Sequence, residues 1–149
     1  MKELIIKIDK DAIMQEVSLA SSYAAAKLEN VDKSMYERIA AVDSDAVIIS
    51  RFWTEACGEI SENLKDFIVV EVLTADHYEI TLQLSNAYDE TLNKSVESDL
   101  FSSLSAAITG KWFRYVYASR AEEWLMESKA LLNRAARKLC HRVAPRRRG

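Results

Sequence analysis

The eighteen residues Phe67-Ile68-Val69-Val70-Glu71-Val72-Leu73-Thr74-Ala75-Asp76-His77-Tyr78-Glu79-Ile80-Thr81-Leu82-Gln83-Leu84 decide the fold. Up to Phe67 the apolar residues recur every three to four positions, and within this stretch the period drops to two. Phe67 to Leu73 is β-branched and apolar, and Tyr78, Ile80, Leu82 and Leu84 alternate with Glu79, Thr81 and Gln83. With Thr74-Ala75-Asp76-His77 between the two runs, the pattern predicts an antiparallel hairpin. A lone hairpin is marginal in water, so it needs the N-terminal strand or another subunit as a further partner.

Toward the N-terminus, Asp43-Ser44-Asp45 supplies helix-capping residues and negative charge at the positive end of a helix. Ile49, Phe52, Trp53, Ala56, Ile60, Leu64 and Phe67 follow at helical spacing, opposite a polar face of Arg51, Glu55, Glu59, Glu62 and Lys65. This predicts an amphipathic helix of about six turns. Earlier still, Asn30 to Ser34 reads as a break and Met35 to Val42 as a short helix or loop. Ile13, Val17, Ala20 and Ala24 predict a helix capped by Asp9 or Asp11. Leu4, Ile6 and Ile8 predict a strand.

Toward the C-terminus, Asp89 to Tyr117 carries the longest helical pattern, through Leu92, Val96, Leu100, Leu104, Ala107, Ile108, Trp112, Phe113 and Val116. Gly110 within it marks a close approach, a kink or an early end. Ser119-Arg120-Ala121-Glu122 fits a capping box for the last helix, whose apolar stripe is Trp124, Leu125, Ser128, Leu131, Leu132, Ala135 and Leu139. Pro145 and three arginines close the chain as an irregular tail. The expected fold class is α+β, mainly helical: a bundle of about four helices with a small antiparallel sheet. Residues 1–140 form a single domain in this reading, with 1–42 as an N-terminal strand-and-helix extension and 141–149 as a basic tail.

Composition removes several function classes. The chain has 149 residues, enough to bury a core without metals or disulfides. Three glycines and one proline, none in a Gly-rich phosphate loop, exclude P-loop and dinucleotide-binding proteins. Cys57 and Cys140 stand far apart, which argues against a disulfide scaffold or zinc module. No apolar run approaches the ~20 residues of a membrane span, and Met1 to Lys7 is too short and charged for a signal peptide. The expectation is a soluble chain of the cell interior, or part of something assembled there.

The net charge of −3 hides a polarised distribution. All 23 acidic residues precede Arg134 together with 13 of the 20 basic ones, a net of −10; Arg134 to Gly149 holds seven basic residues and no acid. Such an end can bind nucleic acid or dock on an acidic surface, a neighbouring copy included, or simply fray and solubilise.

Catalytic constellations are missing. His77 and His141 each stand alone, His77 as an exposed turn residue and His141 as part of the basic end. Cys57 reads as a small buried hydrophobe. Cys140, beside Lys138, His141 and Arg142, is the more reactive thiol, but has no base to serve it. Glu55, Glu59 and Glu62 form a carboxylate ridge at i, i+4 and i+7, which suits a solvated face or a dock for basic groups better than acid–base chemistry. Trp53, Trp112, Phe113 and Trp124 read as packing residues rather than base-stacking platforms. Tyr115 and Tyr117 lie off the main stripe and, with Lys111 and Arg114, mark a candidate interface. No catalytic, metal or cofactor site is expected, and the chain is not expected to be an enzyme.

Two segments carry a resemblance: Asp43-Ser44-Asp45-Ala46-Val47-Ile48-Ile49-Ser50-Arg51-Phe52-Trp53-Thr54-Glu55-Ala56, and Leu100 to Ile108 continuing through Trp112-Phe113-Arg114-Tyr115 to Ser119-Arg120-Ala121-Glu122. They resemble, in element order and residue texture, the head–tail connector (adaptor) proteins of long-tailed bacteriophages, over roughly Asp43 to Leu139. The first forty residues look like an addition to that pattern, and the hairpin is longer than is usual in the family. The resemblance implies a non-enzymatic virion protein, assembled in the host bacterial cytoplasm. Its copies would form a ring of about twelve, docked to the portal protein and followed by tail or stopper proteins. DNA would pass through the lumen without sequence recognition, and no membrane would be involved.

An acidic body suits a channel along which DNA slides, and a basic tail suits an acidic groove on a neighbour. The expected portal or subunit interface is Arg137, Lys138, Arg142, Arg146, Arg147 and Arg148. Glu55, Glu59 and Glu62 form the expected acidic subunit or lumen surface, and Tyr115 with Tyr117 an aromatic one. The alternatives are another phage neck or tail-completion protein, or a small nucleic-acid-binding regulator that uses its basic C-terminus.

Overall fold

Alternation in the first residues produces β1, Lys2–Asp9, with Leu4, Ile6 and Ile8 buried and Glu3, Ile5 and Lys7 outward. The chain turns directly into α1, Lys10–Ala26, as the Lys10 N–H donates to the Asp76 carbonyl (2.9 Å). That bond ties the start of the helix to the hairpin turn. The buried stripe of α1 is Ile13, Val17, Ser21 and Ala25; Ala20 and Ala24, expected on it, are only half buried. A strict four-residue step slightly exceeds the 3.6-residue turn, so the contact line drifts around the helix.

The computed structural model describes residues 1–26 and 45–143. The expected break at Asn30–Ser34, the Met35–Val42 segment, the caps at Asp43 and Ser44, and the tail from Pro145 through Arg146, Arg147 and Arg148 lie outside them.

Helix α2, Ala46–Asn63, buries Ile49, Phe52, Trp53, Ala56, Cys57 and Ile60, with Leu64 buried just after it. Asp45 occupies the N-cap position, yet its side chain makes no capping bond. At 18 residues the helix has about five turns rather than six. The missing turn unwinds at Leu64 to Phe67, where the Phe67 N–H donates to the Leu64 carbonyl and the chain enters the sheet.

The hairpin forms as expected from β2, Ile68–Leu73, and β3, His77–Leu84. Its turn is closed by Thr74, whose Oγ1 accepts from the N–H groups of Asp76 (3.1 Å) and His77 (3.0 Å). His77 is therefore the half-buried first residue of β3 rather than an exposed turn residue, its Nδ1 3.2 Å from Thr74 Oγ1. The N-terminal strand is the hairpin's other partner. β1 pairs antiparallel with β3 from Lys2↔Leu84 to Asp9↔His77, and the sheet order is β1-β3-β2. Between Ile68↔Leu82 and Val70↔Thr81 the register shifts, so Val69 sits at a bulge.

After β3, Asp89 Oδ1 accepts from the Thr91 N–H (3.0 Å) and starts a 3-10 turn, Glu90–Leu92. Helix α3, Asn93–Val116, follows and is the centre of the molecule. It is buried almost all round from Ser103 to Phe113, because Ser103, Ser105, Ala106, Ala107, Thr109 and Gly110 let α1, α2 and the last helix approach on different sides. Two of its buried hydroxyls are satisfied within the helix: Ser105 donates to the Phe101 carbonyl and Thr109 to that of Ser105.

Helix α4, Ala118–Leu139, returns antiparallel against α3. The expected capping box does not form. Tyr117 alone makes the reversal: its N–H donates to the Phe113 carbonyl (2.7 Å) and its carbonyl accepts from the Arg120 N–H (3.0 Å). Ser119 is therefore already inside α4, and Tyr117 is the N-cap residue. Two reciprocal bonds lock the pair: Ser103 Oγ donates to the Ser128 carbonyl and Ser128 Oγ to the Ser103 carbonyl, each 2.8 Å. The architecture is thus α+β and mainly helical, with four helices and one three-stranded antiparallel sheet among the described residues.

Candidate assembly surfaces

Three surfaces emerge from this packing. The first is a groove of about 630 Å³ between α2 and α4. Glu55, Glu59 and Glu62, one turn apart, form one wall; Leu132 and Lys129 form the other, and Gly58 leaves space between. The sequence placed the three carboxylates on one helix face correctly. Pairing then partly offsets their charge. Lys111 of α3, only 11% exposed, puts its Nζ 2.8 Å from Glu59 and 3.6 Å from Glu55. Arg51 and Lys65 reach Glu55 and Glu62 at 3.4 Å each, but these are exposed pairs of a kind that holds weakly.

The second surface is the solvent face of the sheet. The central strand presents Glu79, Thr81 and Gln83 there, β2 presents apolar residues, and β1 presents Ile5 between Glu3 and Lys7. Ile5 on β1 is 54% exposed, and Val70 and Val72 on β2 are 54% and 40% exposed. Val69 and Leu73 add to the apolar character of the β2 edge. The sequence signal was available in the run Ile68 to Leu73, but its position at an edge depends on strand order.

The third surface is basic. Arg134, Arg137, Lys138 and His141 surround Leu92 at a depression of about 290 Å³. Two of these cations are engaged inside the fold. Asp99 of α3 is buried and accepts from Arg134 Nη2 (2.9 Å) and Lys138 Nζ (2.7 Å), and Lys138 also donates to Ser95 Oγ (2.6 Å). Burial alone would raise the Asp99 pKa, but the hydrogen bonds and charges of Arg134 and Lys138 outweigh it and hold the carboxyl below its ordinary value. Sequence reasoning missed this clamp, although the i, i+4 spacing of Arg134 and Lys138 was a cue that one partner could serve both. Arg137 stays exposed. Beyond the helix, the Val143 N–H donates to the Ala87 carbonyl (2.7 Å) and the Asp89 N–H to that of His141 (3.3 Å). Arg142 thus sits in a bridge opposite Tyr88, with its residue exposed.

The tyrosines separate. Tyr115 is 66% exposed and stacks on Phe52 at a 5.8 Å centroid distance, whereas Tyr117 packs edge-on against Phe113 at the helix reversal. Trp53, Trp112 and Phe113 are core residues, as their spacing implied.

Among single reactive groups, Cys57 is buried and its pKa is pushed up to about 12, by burial first and the Glu71 charge second. Cys140 is exposed. The Tyr78 hydroxyl is buried without a hydrogen-bond partner, and its pKa is raised, again by burial and then by Glu71. No group of three or more His, Cys, Asp or Glu that could hold a metal occurs among the described residues, and no described helix is long and apolar enough to cross a membrane.

Comparison with known proteins returns no matching family model, no similar curated protein and no similar solved structure.

Proposed function

We propose that this chain is a structural subunit that assembles with copies of itself into the ring-shaped adaptor between the portal and tail of a tailed phage, with DNA passing through the lumen. The observation that carries the assembly half of this reading is the apolar edge that the sheet presents at β2. Soluble monomers blunt sheet edges with charge, proline or a covering element, because an open edge templates further pairing. Here the β2 edge is apolar on its solvent face, with Val70 and Val72 exposed, whereas β1 carries Glu3 and Lys7 on either side of Ile5 and the central strand is polar. β1 and β2 both run antiparallel to β3 and hence parallel to each other. A single rotation can therefore bring β1 of one copy beside β2 of the next, which is the head-to-tail geometry that closes rings.

The virion half rests on the resemblance of Asp43–Ala56 and of Leu100–Glu122 to head–tail connectors. The order α2, hairpin, α3, reversal, α4 agrees with the layout on which that resemblance was drawn. Exposure of Arg137 and Arg142 at the basic end favours a second reading, a nucleic-acid-binding regulator. The body's net charge of −10 opposes it by repelling the same polyanion.

Light scattering on the purified protein at low and moderate salt, with and without a short DNA duplex, separates the two. A closed multi-copy species whose mass ignores DNA is expected. A monomer or dimer that holds DNA tightly at low salt and releases it steeply as salt rises would replace the adaptor reading with the regulatory one.

A further inference from the structure

We infer that the groove between α2 and α4 is the seat for the Arg146-Arg147-Arg148 segment of a neighbouring copy. This rests on the reading of the chain as a self-assembling subunit and assigns one of its contacts. The groove has an apolar element, Leu132, and one wall of three carboxylates spaced a helical turn apart. Glu59 and Glu62 have side chains 52% and 79% exposed, so both are open to an incoming cation. The pairs they now make are with lysines, which act as point charges. Guanidinium groups engage carboxylates through two parallel hydrogen bonds, so an arginine can displace the exposed Lys65 from Glu62 and add to the bond that Glu59 keeps with Lys111. Three consecutive arginines facing three carboxylates are complementary in sign and number.

The segment's own groove is poorly placed to receive it. α4 turns Leu132 and Lys129 toward the groove but Arg134, Arg137 and Lys138 toward Leu92 on its far side. The chain leaves the helix on that far side, where His141 and Val143 are bonded to Asp89 and Ala87. From Val143 to Arg147 is four residues, at most about 14 Å of extended backbone. Half the circumference of a helix with its side chains is about 16–19 Å. That short reach sets the arginine segment poorly for its own groove and leaves the carboxylates open to the same segment of a neighbouring copy.

The test is a charge swap in the full chain. R146E/R147E/R148E gives an acidic segment with an acidic groove, and E59K/E62K gives a basic segment with a basic groove. Each variant alone is expected to lose the assembled species, while an equimolar mixture, in which each segment meets an opposite groove, is expected to regain it. Regain in the mixture is specific to contact between copies. If the wild type assembles and either variant alone assembles equally well, the inference is overturned while the subunit reading stands.

A second measurement does not depend on assembly. A fluorescein-labelled peptide Ala144–Gly149 is titrated against the wild-type chain and against E59K/E62K, with polarisation as readout. At least tenfold weaker binding to the variant is expected; equal binding, or none to the wild type, overturns the inference. A wild type that stays monomeric yet binds the peptide in this selective way would sink the ring reading and keep the groove.

Discussion

Gly58 and Gly110 both sit inside helices, and one added methyl group has opposite consequences at the two. A Cβ on Gly110 would lie 2.7 and 2.8 Å from Cγ and Cδ2 of Leu125 and 3.2 Å from its backbone N, so α3 and α4 would have to part. Gly110→Ala is expected to lower stability by about 1–3 kcal/mol, as overpacking does. A Cβ on Gly58 meets nothing within 4 Å, and Gly58→Ala is expected to raise stability by about 0.5–1 kcal/mol through helix propensity. Urea denaturation of the two variants checks both signs. Of the three options that the sequence left open at Gly110, close approach is the one realised, since α3 runs on to Val116. Asp99 gives the protein a pH response of known sign. Its pKa is lower folded than unfolded, so its contribution is complete above the unfolded value near pH 4 and is lost as pH falls through the folded one. Asp99→Asn is expected to flatten the fall in stability below about pH 4 and to cost roughly 1.5–3 kcal/mol at neutral pH, the range for hydrogen bonds to charged groups. Thermal melts from pH 2 to 7 measure both. The two thiols differ as sharply: Cys140 is exposed, while Cys57 is buried with a pKa of about 12. A disulfide reagent at pH 8 is expected to titrate one thiol in the native protein and the second only in denaturant.

Elements were legible in the sequence wherever one physical signal dominated. The hairpin was, because alternation from Tyr78 to Leu84 admits only one buried face, and β3 buries Tyr78, Ile80, Leu82 and Leu84 as that requires. α3 was legible as a helix but not as the central one. Its stripe of large residues was plain, whereas the burial of Ser103, Ser105, Ala106 and Thr109 depends on neighbours that approach because those side chains are small. The start of α4 was misplaced for a related reason: a backbone reversal at Tyr117 satisfies the groups that a Ser119 cap would have served. The acidic wall was visible as spacing on α2, but its companion Lys111 lies on another helix, and the opposing Leu132 on a third. The edge character of β2 leads to a prediction at this scale. Val72→Lys places a charge on a half-exposed edge position and is expected to change monomer stability by no more than about 0.5 kcal/mol. The same change is expected to reduce self-association, because an edge lysine blocks strand addition. Gln83→Lys, on the exposed face of the central strand, is the control and is expected to leave self-association unchanged. Light scattering on both variants, beside urea midpoints, separates an edge contact from a general charge effect.

At the scale of the whole molecule, β1, β3 and all four helices contribute buried apolar side chains to one hydrophobic cluster, and β2 packs against it through Ile68. The two halves of the chain that look different in sequence, the alternating segments and the long helices, share that core and have no separate one among the described residues. Cooperative unfolding follows from a shared core, because opening either half strips apolar contacts from the other. Trp53 of α2 lies in the cluster beside the sheet, and Trp112 lies near the far end of α3. Tryptophan fluorescence and far-UV circular dichroism are therefore expected to report a single urea midpoint. Charge is distributed differently from packing. The acidic excess lies before Arg134, while Arg146, Arg147 and Arg148 follow the last described residue, Val143. Reversing the three arginines should then leave that midpoint in place, provided moderate salt screens the added negative charge to within about 8 Å. Two separated midpoints would mean that the sheet and the helical hairpin unfold independently. One midpoint shifted by the reversal would mean that the arginines stabilise their own chain, which the geometry of α4 argues against.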